Sequence, residues 1–316
     1  MINSVSEMRA KPGEAPGNPA ISPATPAEAI ARATGLPVWA APHGAEILPG
    51  GMTNFNVKLH DAGKAYVVRI GGDIDAHLVK RFNELACHRA AEAAGLSPRI
   101  VHAEAGVLAM DFIEGQVLDA QSAAGDPMID RIAALLRRLH SQATRSLRGP
   151  VLVFWVFHVL RDYDARLRAA NSRYMAELPR LSAVSEALEE AVGPVTLALA
   201  HNDLLPSNLL DDGRRLWLLD WDYGGFNTPL FDLAGIASNC GYSVAGRMRL
   251  LEAYYGEAPS AGLLRRLQAM MCASLLRETL WSMVSEITSN IAFDYAAYTE
   301  ENRARFDAAY ADFLNC

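Results

Sequence analysis

A short polar motif in the second half of the chain carries the strongest chemical signal. It runs His201-Asn202-Asp203-Leu204-Leu205-Pro206-Ser207-Asn208 and is followed, after a further apolar stretch, by Asp220. Phosphoryl transfer needs one carboxylate to receive the proton of the substrate hydroxyl, and an amide oxygen with a second carboxylate to hold magnesium against the phosphates. The pattern H-x-D-x-x-x-x-N, followed by an aspartate, supplies these groups in that order. Any one of these residues alone is more often a turn residue, but the complete set between two apolar runs predicts phosphoryl transfer.

A glycine pair near the N-terminus marks a second candidate site. Gly50-Gly51-Met52-Thr53-Asn54 lies in a turn between two strand-like runs. Glycines let backbone N–H groups approach phosphate oxygens, and the side chains of Thr53 and Asn54 can add donors. A glycine pair is more often simple hairpin geometry, so the phosphate interpretation depends on its neighbours.

Those neighbours are Arg69, near the end of the next apolar run at residues 65–70, and Glu84, on the helix predicted to follow it. Protein kinases hold nucleotide phosphates with a strand lysine paired to a helix glutamate, and arginine would take the place of lysine here. The alternative is a surface ion pair of little energetic value.

Aromatic residues form a third signal. They follow Asp220 and recur near the C-terminus, with acidic residues close by in sequence: Tyr223, Phe226, Trp281, Phe293, Tyr295 and Tyr298, and the acidic Asp222, Glu278 and Glu286. Aromatic faces attract quaternary ammonium groups such as choline by about 0.5–2 kcal/mol each. Aromatic residues at helical spacing are more often core packing, so the pattern alone favours a core.

The elements that must position these residues change character near residue 112. A small antiparallel sheet is predicted from strand-like runs at 44–48, 54–60, 65–70, 99–103 and 107–113. A short helix from Pro26 to residue 33 is predicted before it, and one helix over 74–94 within it. Helical periodicity dominates afterwards, at 129–142, 154–170, 181–191, 250–255, 263–291 and 300–313. Strand-like pieces at 195–200 and 217–219 bracket the catalytic motif. We therefore expect an α+β chain with a mobile tail at 1–25, a β-rich lobe at 26–112 and an α-rich lobe at 113–316.

Composition narrows the function further. The 316 residues include 29 Lys and Arg against 36 Asp and Glu, a net charge of −7, without a run of like charges, so nucleic acid is not an expected partner. No stretch reaches the roughly 18 uninterrupted apolar residues of a membrane span, so no transmembrane segment is predicted. The cysteines Cys87, Cys240, Cys272 and Cys316 form no C-x-x-C pair. This favours reduced thiols and a cytoplasmic location.

Together these segments resemble the choline/ethanolamine kinase family, within a wider aminoglycoside phosphotransferase-like group that has a protein-kinase-like fold. The resemblance covers residues 46–313. Residues 50–54 resemble the family's phosphate loop, 66–70 its nucleotide-binding strand, 201–208 its catalytic loop and 219–223 the segment usually written D-F-E-Y. Residues 280–282, 293–298 and 305–307 resemble the C-terminal helices that line the choline pocket. The resemblance implies a bilobal fold with a small antiparallel β-sheet N-lobe and a larger, mainly α-helical C-lobe.

The resemblance also implies roles for individual residues. Asp203 would be the catalytic base, and Asn208 and Asp220 the Mg²⁺ ligands. The nucleotide would be held by Gly51, Met52, Thr53, Asn54, Arg69, Glu84 and the hinge residues Met110, Asp111 and Ile113. The alcohol would be bound by Asp222, Tyr223, Trp281, Phe293, Tyr295 and Tyr298. The implied reaction is ATP- and Mg²⁺-dependent phosphorylation of the hydroxyl of choline, or of ethanolamine.

Two positions depart from the family pattern. Many members carry a second tryptophan where this chain has Glu278, and an acidic residue where it has Asn239, so one aromatic wall is absent and the charge of the pocket differs. An aminoglycoside- or thiamine-type kinase of the same fold stays open as an alternative, as does a nucleotide-binding pseudokinase scaffold. The oligomeric state, a homodimer included, is left open by the sequence.

Overall fold

The first lobe is a five-stranded antiparallel sheet with two helices. The computed structural model describes residues 23, 25–49 and 54–315. The strand order is β1-β2-β3-β5-β4. The elements are α1 (Pro26–Thr34), β1 (His43–Leu48), β2 (Phe55–Asp61), β3 (Lys64–Ile70), α2 (Arg81–Ala93), β4 (Ile100–Glu104) and β5 (Val107–Asp111). Gly51, Met52 and Thr53, predicted to bind phosphate, lie outside the described residues, as does most of the predicted tail at 1–25.

Local sequence explains how α1 and the sheet fit together. Thr25 caps α1 by accepting a hydrogen bond from the Glu28 N–H, and Pro26 occupies the first helical position. Alternate residues of β2, including Val57 and Leu59, are fully buried and pack on α1. Because side chains alternate across a strand, the other residues of β2 and β3 point to the opposite face of the sheet, and this face forms one side of the cleft described below.

The helix predicted over 74–94 is wrong in its first turns. Ile74 and Val79 exchange two backbone hydrogen bonds, and Leu78 between them has a φ of 60°. That closed loop contains one 3₁₀ turn, Asp75–His77, but is incompatible with a continuous α-helix, and α2 begins only at Arg81, whose N–H is accepted by Asp73. The segment before α2 is thereby free to pack against the other lobe.

The second lobe is mainly helical, with short strands around the catalytic motif. Its elements are β6 (Gln116–Val117), α3 (Ala120–Ala123), α4 (Asp126–Arg138), α5 (Thr144–Ser146), α6 (Val156–Ala169), α7 (Leu178–Val192), β7 (Ala198–Ala200), β8 (Leu209–Asp211), β9 (Leu216–Leu218), β10 (Gly225–Asn227), α8 (Pro229–Asn239), α9 (Val244–Tyr255), α10 (Ala261–Thr288) and α11 (Tyr295–Leu314). β7 pairs with β10, and β6, β8 and β9 form a second small sheet. The predicted α+β architecture is confirmed. Helix α8 was not predicted, because its residues are buried nearly all round and lack an amphipathic period.

Helix α10 is the centre of this lobe. Its 28 residues span about 42 Å, and it packs against α6, α7, α8 and α11. The larger apolar core around it also includes Cys87 and Ala91 of α2, which join the two lobes. Within the described part of the chain, no helix is both long and apolar enough to cross a membrane.

Candidate active site

A cleft of about 560 Å³ lies between the sheet and the helical lobe. It collects side chains from β3, α2, β5, the catalytic loop and α10. The predicted site residues that line it are Asn54, Arg69, Glu84, Met110, Asp111, Ile113, Asp203, Asn208, Asp220, Asp222, Tyr223, Trp281 and Tyr298. Residues more than 200 positions apart in the chain therefore meet at one cavity.

The catalytic motif leaves β7 through a strained turn. Asn202 has a φ of 66°, in the left-handed region that asparagine tolerates better than most residues. Its side chain donates to the Tyr223 carbonyl at 2.9 Å and accepts from Asn227 at 2.9 Å. These contacts fix the turn from which Asp203 projects into the cleft.

Asp232, in the first turn of α8, stabilises the same turn by accepting hydrogen bonds from its backbone. Its two carboxylate oxygens accept the backbone N–H groups of His201 and Asn202, each at 2.8 Å, and His140 lies 3.0 Å away. Burial disfavours the ionised form, but the contacts with His140 and His201 outweigh it and lower the pKa of Asp232. Asp232 was not predicted as a site residue, because an aspartate in the first turn of a helix commonly stabilises the helix itself.

Asp203 has one oxygen engaged and one directed to the cleft. Its Oδ1 accepts a hydrogen bond from Arg277 Nη2 at 2.8 Å, and its side chain is 22% exposed. Within the described residues, Oδ2 accepts no hydrogen bond. A carboxylate with one tethered and one accessible oxygen is suited to receiving a proton from a bound hydroxyl.

Asn208 and Asp220 form the candidate metal site. Asn208 Nδ2 donates to the Asp203 carbonyl at 2.8 Å, which leaves its Oδ1 available as a ligand. Asp220 has a φ of 63° and an accessible side chain in the cleft. Local desolvation, together with Asp222, Glu84 and Asp203, raises its pKa well above the usual range. A divalent cation would relieve this concentration of negative charge.

The donor set fits Mg²⁺. Mg²⁺ prefers oxygen ligands and is usually held by one or two carboxylates together with phosphates and water. Within the described residues there is no group of three or more His, Cys, Asp or Glu side chains arranged as a metal cage. The Asp220 carboxylate and the Asn208 amide oxygen are ligands of the kind that Mg²⁺ accepts when a nucleotide and solvent supply the others.

A buried charge cluster lies at the end of β3. Arg69 is hydrogen-bonded to Glu84, and Arg81 donates to Glu84 at 2.8 Å and is hydrogen-bonded to Asp222. Asn54 donates to Asp222 at 3.0 Å. Burial opposes ionisation of Asp222, but Arg81 and Arg69 outweigh it and lower its pKa. The predicted Arg69 and Glu84 are therefore neighbours, within a larger cluster than the sequence indicated.

Arg69 has unused donors. Its Nε and Nη1 are buried and have no hydrogen-bond partner among the described residues, although Nη1 lies 3.7 Å from an Asp222 oxygen. A buried guanidinium donor without a hydrogen bond is costly. Arg69 lines the cleft, so these atoms are suited to an anionic ligand.

The predicted hinge begins within β5, whose last two residues are Met110 and Asp111, and continues through Ile113. The Asp111 N–H donates to the Arg99 carbonyl and the Phe112 N–H to the Ala65 carbonyl, so both are used by the fold. The Ile113 N–H has no partner among the described residues. Met110 and Ile113 line the cleft, so this edge combines apolar surface with a backbone donor.

The predicted aromatic residues divide into two layers. Tyr223, Trp281 and Tyr298 line the cleft, and Trp281 Nε1 donates to Tyr223 Oη at 2.9 Å. The ring centroids of Trp281 and Tyr298 are 6.3 Å apart, edge to face. These three rings form what we call the aromatic wall.

Phe293 and Tyr295 lie behind the aromatic wall and do not line the cleft. The Phe293 ring is 5.6 Å from Tyr298 and 5.0 Å from Tyr295, and it is 43% exposed. Tyr295 is buried and donates to Ser289 at 2.9 Å. Both rings therefore contact the aromatic wall without forming part of the cleft surface.

Comparison with known proteins assigns this site to a family. The model of the choline/ethanolamine kinase family matches residues 45–245. The chain belongs to the choline/ethanolamine kinase family. It is 31% identical over 270 residues to Protein LicA of Haemophilus influenzae, which covers 82% of this chain and 97% of that protein. It is 26% identical over 268 residues to ethanolamine kinase 2 of Mus musculus, with 75% of this chain and 68% of that one covered.

A solved structure gives the same assignment. The choline/ethanolamine kinase family protein from Mesorhizobium loti has a TM-score of 0.73 and 27% identity to this chain, and the match covers 90% of this chain and 94% of that one. The predicted bilobal, protein-kinase-like fold is confirmed. The chain is a small-molecule kinase, a phosphotransferase with an alcohol group as acceptor.

The two departures from the family pattern have structural partners. Glu278 lines the cleft, accepts a hydrogen bond from Tyr298 Oη at 2.8 Å, and lies 3.1 Å from Arg277 Nη1. Asn239 donates to the Leu204 carbonyl at 3.0 Å, which a carboxylate could not do. An acidic residue at 239 would lose that hydrogen bond.

Proposed function

We propose that this kinase phosphorylates the hydroxyl of choline with ATP and Mg²⁺. The observation that carries the proposal is that the aromatic wall and Asp203 face one cleft. Arg277 contacts both, since its guanidinium is 2.8 Å from Asp203 and 4.8 Å from the centre of the Tyr223 ring. If an amino alcohol binds with its ammonium against the aromatic wall, its short carbon chain extends the hydroxyl toward the Asp203 carboxylate.

The nucleotide is proposed to occupy the side of the cleft nearest the sheet. The unused Arg69 donors would meet phosphate oxygens, because charge-assisted hydrogen bonds to phosphate are strong. The Ile113 N–H would donate to adenine, with Met110 against the ring. These assignments use donors that have no hydrogen-bond acceptor among the described residues.

The proposed reaction is a direct transfer. The hydroxyl oxygen forms a bond to the γ-phosphorus, its proton passes to Asp203 Oδ2, and the bond between the γ-phosphorus and the bridging oxygen breaks to release ADP. Asn208 and Asp220 would hold Mg²⁺, which neutralises phosphate charge when bound. Arg69 contributes a further positive charge beside the phosphates.

The aromatic wall favours a quaternary ammonium. Trimethylammonium loses less hydration than a primary ammonium on entering an aromatic site, and cation–π attraction is worth about 0.5–2 kcal/mol. Ethanolamine is the second candidate because of one observation. The Glu278 carboxylate lies beside Tyr298 and can accept hydrogen bonds from a primary ammonium, which trimethylammonium cannot donate.

The test is a coupled ADP-release assay on the purified chain with choline, ethanolamine, thiamine and an aminoglycoside as acceptors. We expect the highest kcat/KM for choline and a measurable but lower value for ethanolamine. A higher kcat/KM for thiamine or the aminoglycoside would overturn the proposal. A higher value for ethanolamine would transfer the assignment to the second candidate.

A further inference from the structure

Arg277 is a charged residue in the middle of the central helix α10. It follows Leu275 and Leu276, and its side chain is only 5% exposed. A buried arginine is costly unless charged or hydrogen-bonding groups surround it. The position of Arg277 therefore calls for an explanation from its partners.

The partners of Arg277 are two carboxylates of the cleft. Nη2 donates to Asp203 Oδ1 at 2.8 Å, and Nη1 donates to Glu278 Oε2 at 3.1 Å. Nη2 also lies 3.5 Å from the Asn202 carbonyl oxygen. One end of the rigid, planar guanidinium thus contacts Asp203, the predicted base. The other end contacts Glu278, which stands where many family members have a second tryptophan.

Glu278 extends this contact to the aromatic wall. Its Oε1 accepts a hydrogen bond from Tyr298 Oη at 2.8 Å, while its Oε2 faces Arg277. The resulting chain of hydrogen bonds runs from Tyr298 through Glu278 and Arg277 to Asp203. It connects the surface proposed to hold the ammonium with the carboxylate proposed to receive the proton.

We infer that Arg277 is a positioning residue for this reaction: it fixes the Asp203 carboxylate so that Oδ2 faces the substrate hydroxyl, and Glu278 fixes Arg277. The part that concerns the ammonium rests on the proposed function, whereas the Arg277–Asp203 contact is independent of which alcohol is the substrate. Arg277 does not touch the reacting atoms in this scheme. Its effect is on the geometry of Asp203.

A purely structural role for Arg277 makes a different prediction. If the guanidinium only filled space in the core, its loss would lower stability, and the folded fraction would turn over normally. If it positions Asp203, kcat falls in the folded protein while nucleotide binding does not change. A misplacement of a reacting group by about 1 Å can cost about 100-fold in rate.

The experiment compares Arg277→Met and Arg277→Lys with Arg303→Met as a matched control. Arg303, like Arg277, has a buried Nε without a hydrogen-bond partner among the described residues, and it pairs with Glu177 at 3.0 Å, but it lies outside the cleft. Each variant is assayed for kcat, KM for ATP and thermal midpoint. The acceptor is whichever of choline, dimethylethanolamine and ethanolamine the unmodified chain uses best, and slow ATP hydrolysis without acceptor is measured in parallel.

For Arg277→Met we expect kcat to fall by about 10–100-fold with KM for ATP within about twofold. Arg277→Lys should recover part of the loss, since a lysine reaches one carboxylate but cannot bridge both. Arg303→Met should keep its kcat. Unchanged kcat in both Arg277 variants would overturn the inference, as would an equal fall in Arg303→Met.

Glu278→Gln covers the case in which Arg277→Met does not fold. Glutamine keeps the volume but removes the charge that holds Arg277, so kcat should fall and KM for ATP should not. A wild-type kcat in Glu278→Gln and Arg277→Lys would then overturn the inference. Absence of choline turnover by the unmodified chain would defeat the proposed function alone, because the Arg277 comparison proceeds with another acceptor or with water.

Discussion

The imidazole of His77 is stacked on the indole of Trp281, with ring centroids 4.8 Å apart and ring planes at 26°. Its Nδ1 lies 3.2 Å from Tyr163 Oη and its Nε2 lies 2.9 Å from Ser285 Oγ. His77 belongs to the segment before α2, so the first lobe supports the back of the aromatic wall. The two lobes are therefore joined by a direct contact behind the aromatic wall.

The burial of His77 predicts a loss of stability in acid. Desolvation and the nearby Arg277 lower its pKa from 6.5 to about 3, and burial lowers that of His88 to about 4. The unfolded chain binds these protons below pH 6.5 and the folded chain does not. The contribution of these two histidines to the free energy of unfolding should therefore be greatest above pH 6.5 and fall as pH drops, by up to about 1.4 kcal/mol per pH unit for each histidine.

Urea unfolding between pH 4.5 and 7 checks this prediction. His77→Gln should be less stable at pH 7, because the stacking on Trp281 is lost, but its stability should depend less steeply on pH. The exposed His158 provides the control, and His158→Gln should keep the original slope. If the free energy of unfolding of His77→Gln depends on pH as steeply as that of the unmodified chain, the loss of stability in acid does not come from His77.

Asp203→Asn should lose most of its turnover and remain folded. Asparagine keeps an oxygen for the Arg277 hydrogen bond but cannot take a proton from the alcohol. General-base catalysis is worth about 10²–10⁴-fold, so kcat should fall by at least about 100-fold. Steady-state kinetics and nucleotide binding by calorimetry would test this, and a variant with most of its kcat would remove Asp203 from the mechanism.

Asn208→Ala and Asp220→Ala should behave as metal defects. We expect Asp220→Ala to lose nearly all activity, because the carboxylate is the only charged ligand proposed. Asn208→Ala should need more Mg²⁺ and recover partly at high concentration. Magnesium titrations of kcat would show this, and titration curves that match the unmodified chain in both variants would contradict the placement.

Arg69 and Glu84 should act as a unit in nucleotide binding. Arg69→Met should raise KM for ATP, and adding Glu84→Gln should do little further harm, because groups in contact are not additive. Arg249→Met, which breaks an exposed ion pair with Asp130 away from the cleft, is the control at a surface site and should leave KM for ATP unchanged. Additive losses in the Arg69 and Glu84 cycle would show that the pair does not work together.

Features with local signals could be predicted from the sequence. The cap at Thr25 marks α1 correctly, and the spacing from Asp203 to Asn208 marks a loop between β7 and β8 that lines the cleft, because the relevant residues are neighbours in the chain. The strands of the first lobe are correct to within about two residues at their ends. Each of these features, a helix cap, a loop or a strand, is determined mainly by a few consecutive residues, so it can be recognised without knowledge of the tertiary fold.

The remaining contacts join distant parts of the chain. Arg277 pairs with a residue 74 positions away and Arg81 with one 141 positions away. On a helix, such residues have the pattern of an ordinary solvent-facing position, and only the tertiary fold shows that they are buried. Phe293 and Tyr295 show the reverse case, since sequence spacing could not separate rings that line the cleft from rings behind it.

The aromatic wall gives the most demanding prediction, because its residues could equally be core. Trp281→Leu keeps much of the apolar burial and removes the π face, so it should weaken choline binding. Cation–π attraction of about 0.5–2 kcal/mol corresponds to roughly 2–30-fold in affinity. Tyr298→Leu should have a similar effect, and KM for ATP should not change in either variant.

Phe313→Leu is the matched control for the aromatic wall, since Phe313 is a buried ring of α11 that does not line the cleft. It should lower stability without altering KM for choline. Thermal midpoints measured alongside KM then separate a ring that binds the ammonium from one that supports the fold. A Trp281→Leu protein that loses stability but keeps the choline affinity of its folded fraction would show that Trp281 is a core residue, and the preference for choline would lose its physical basis.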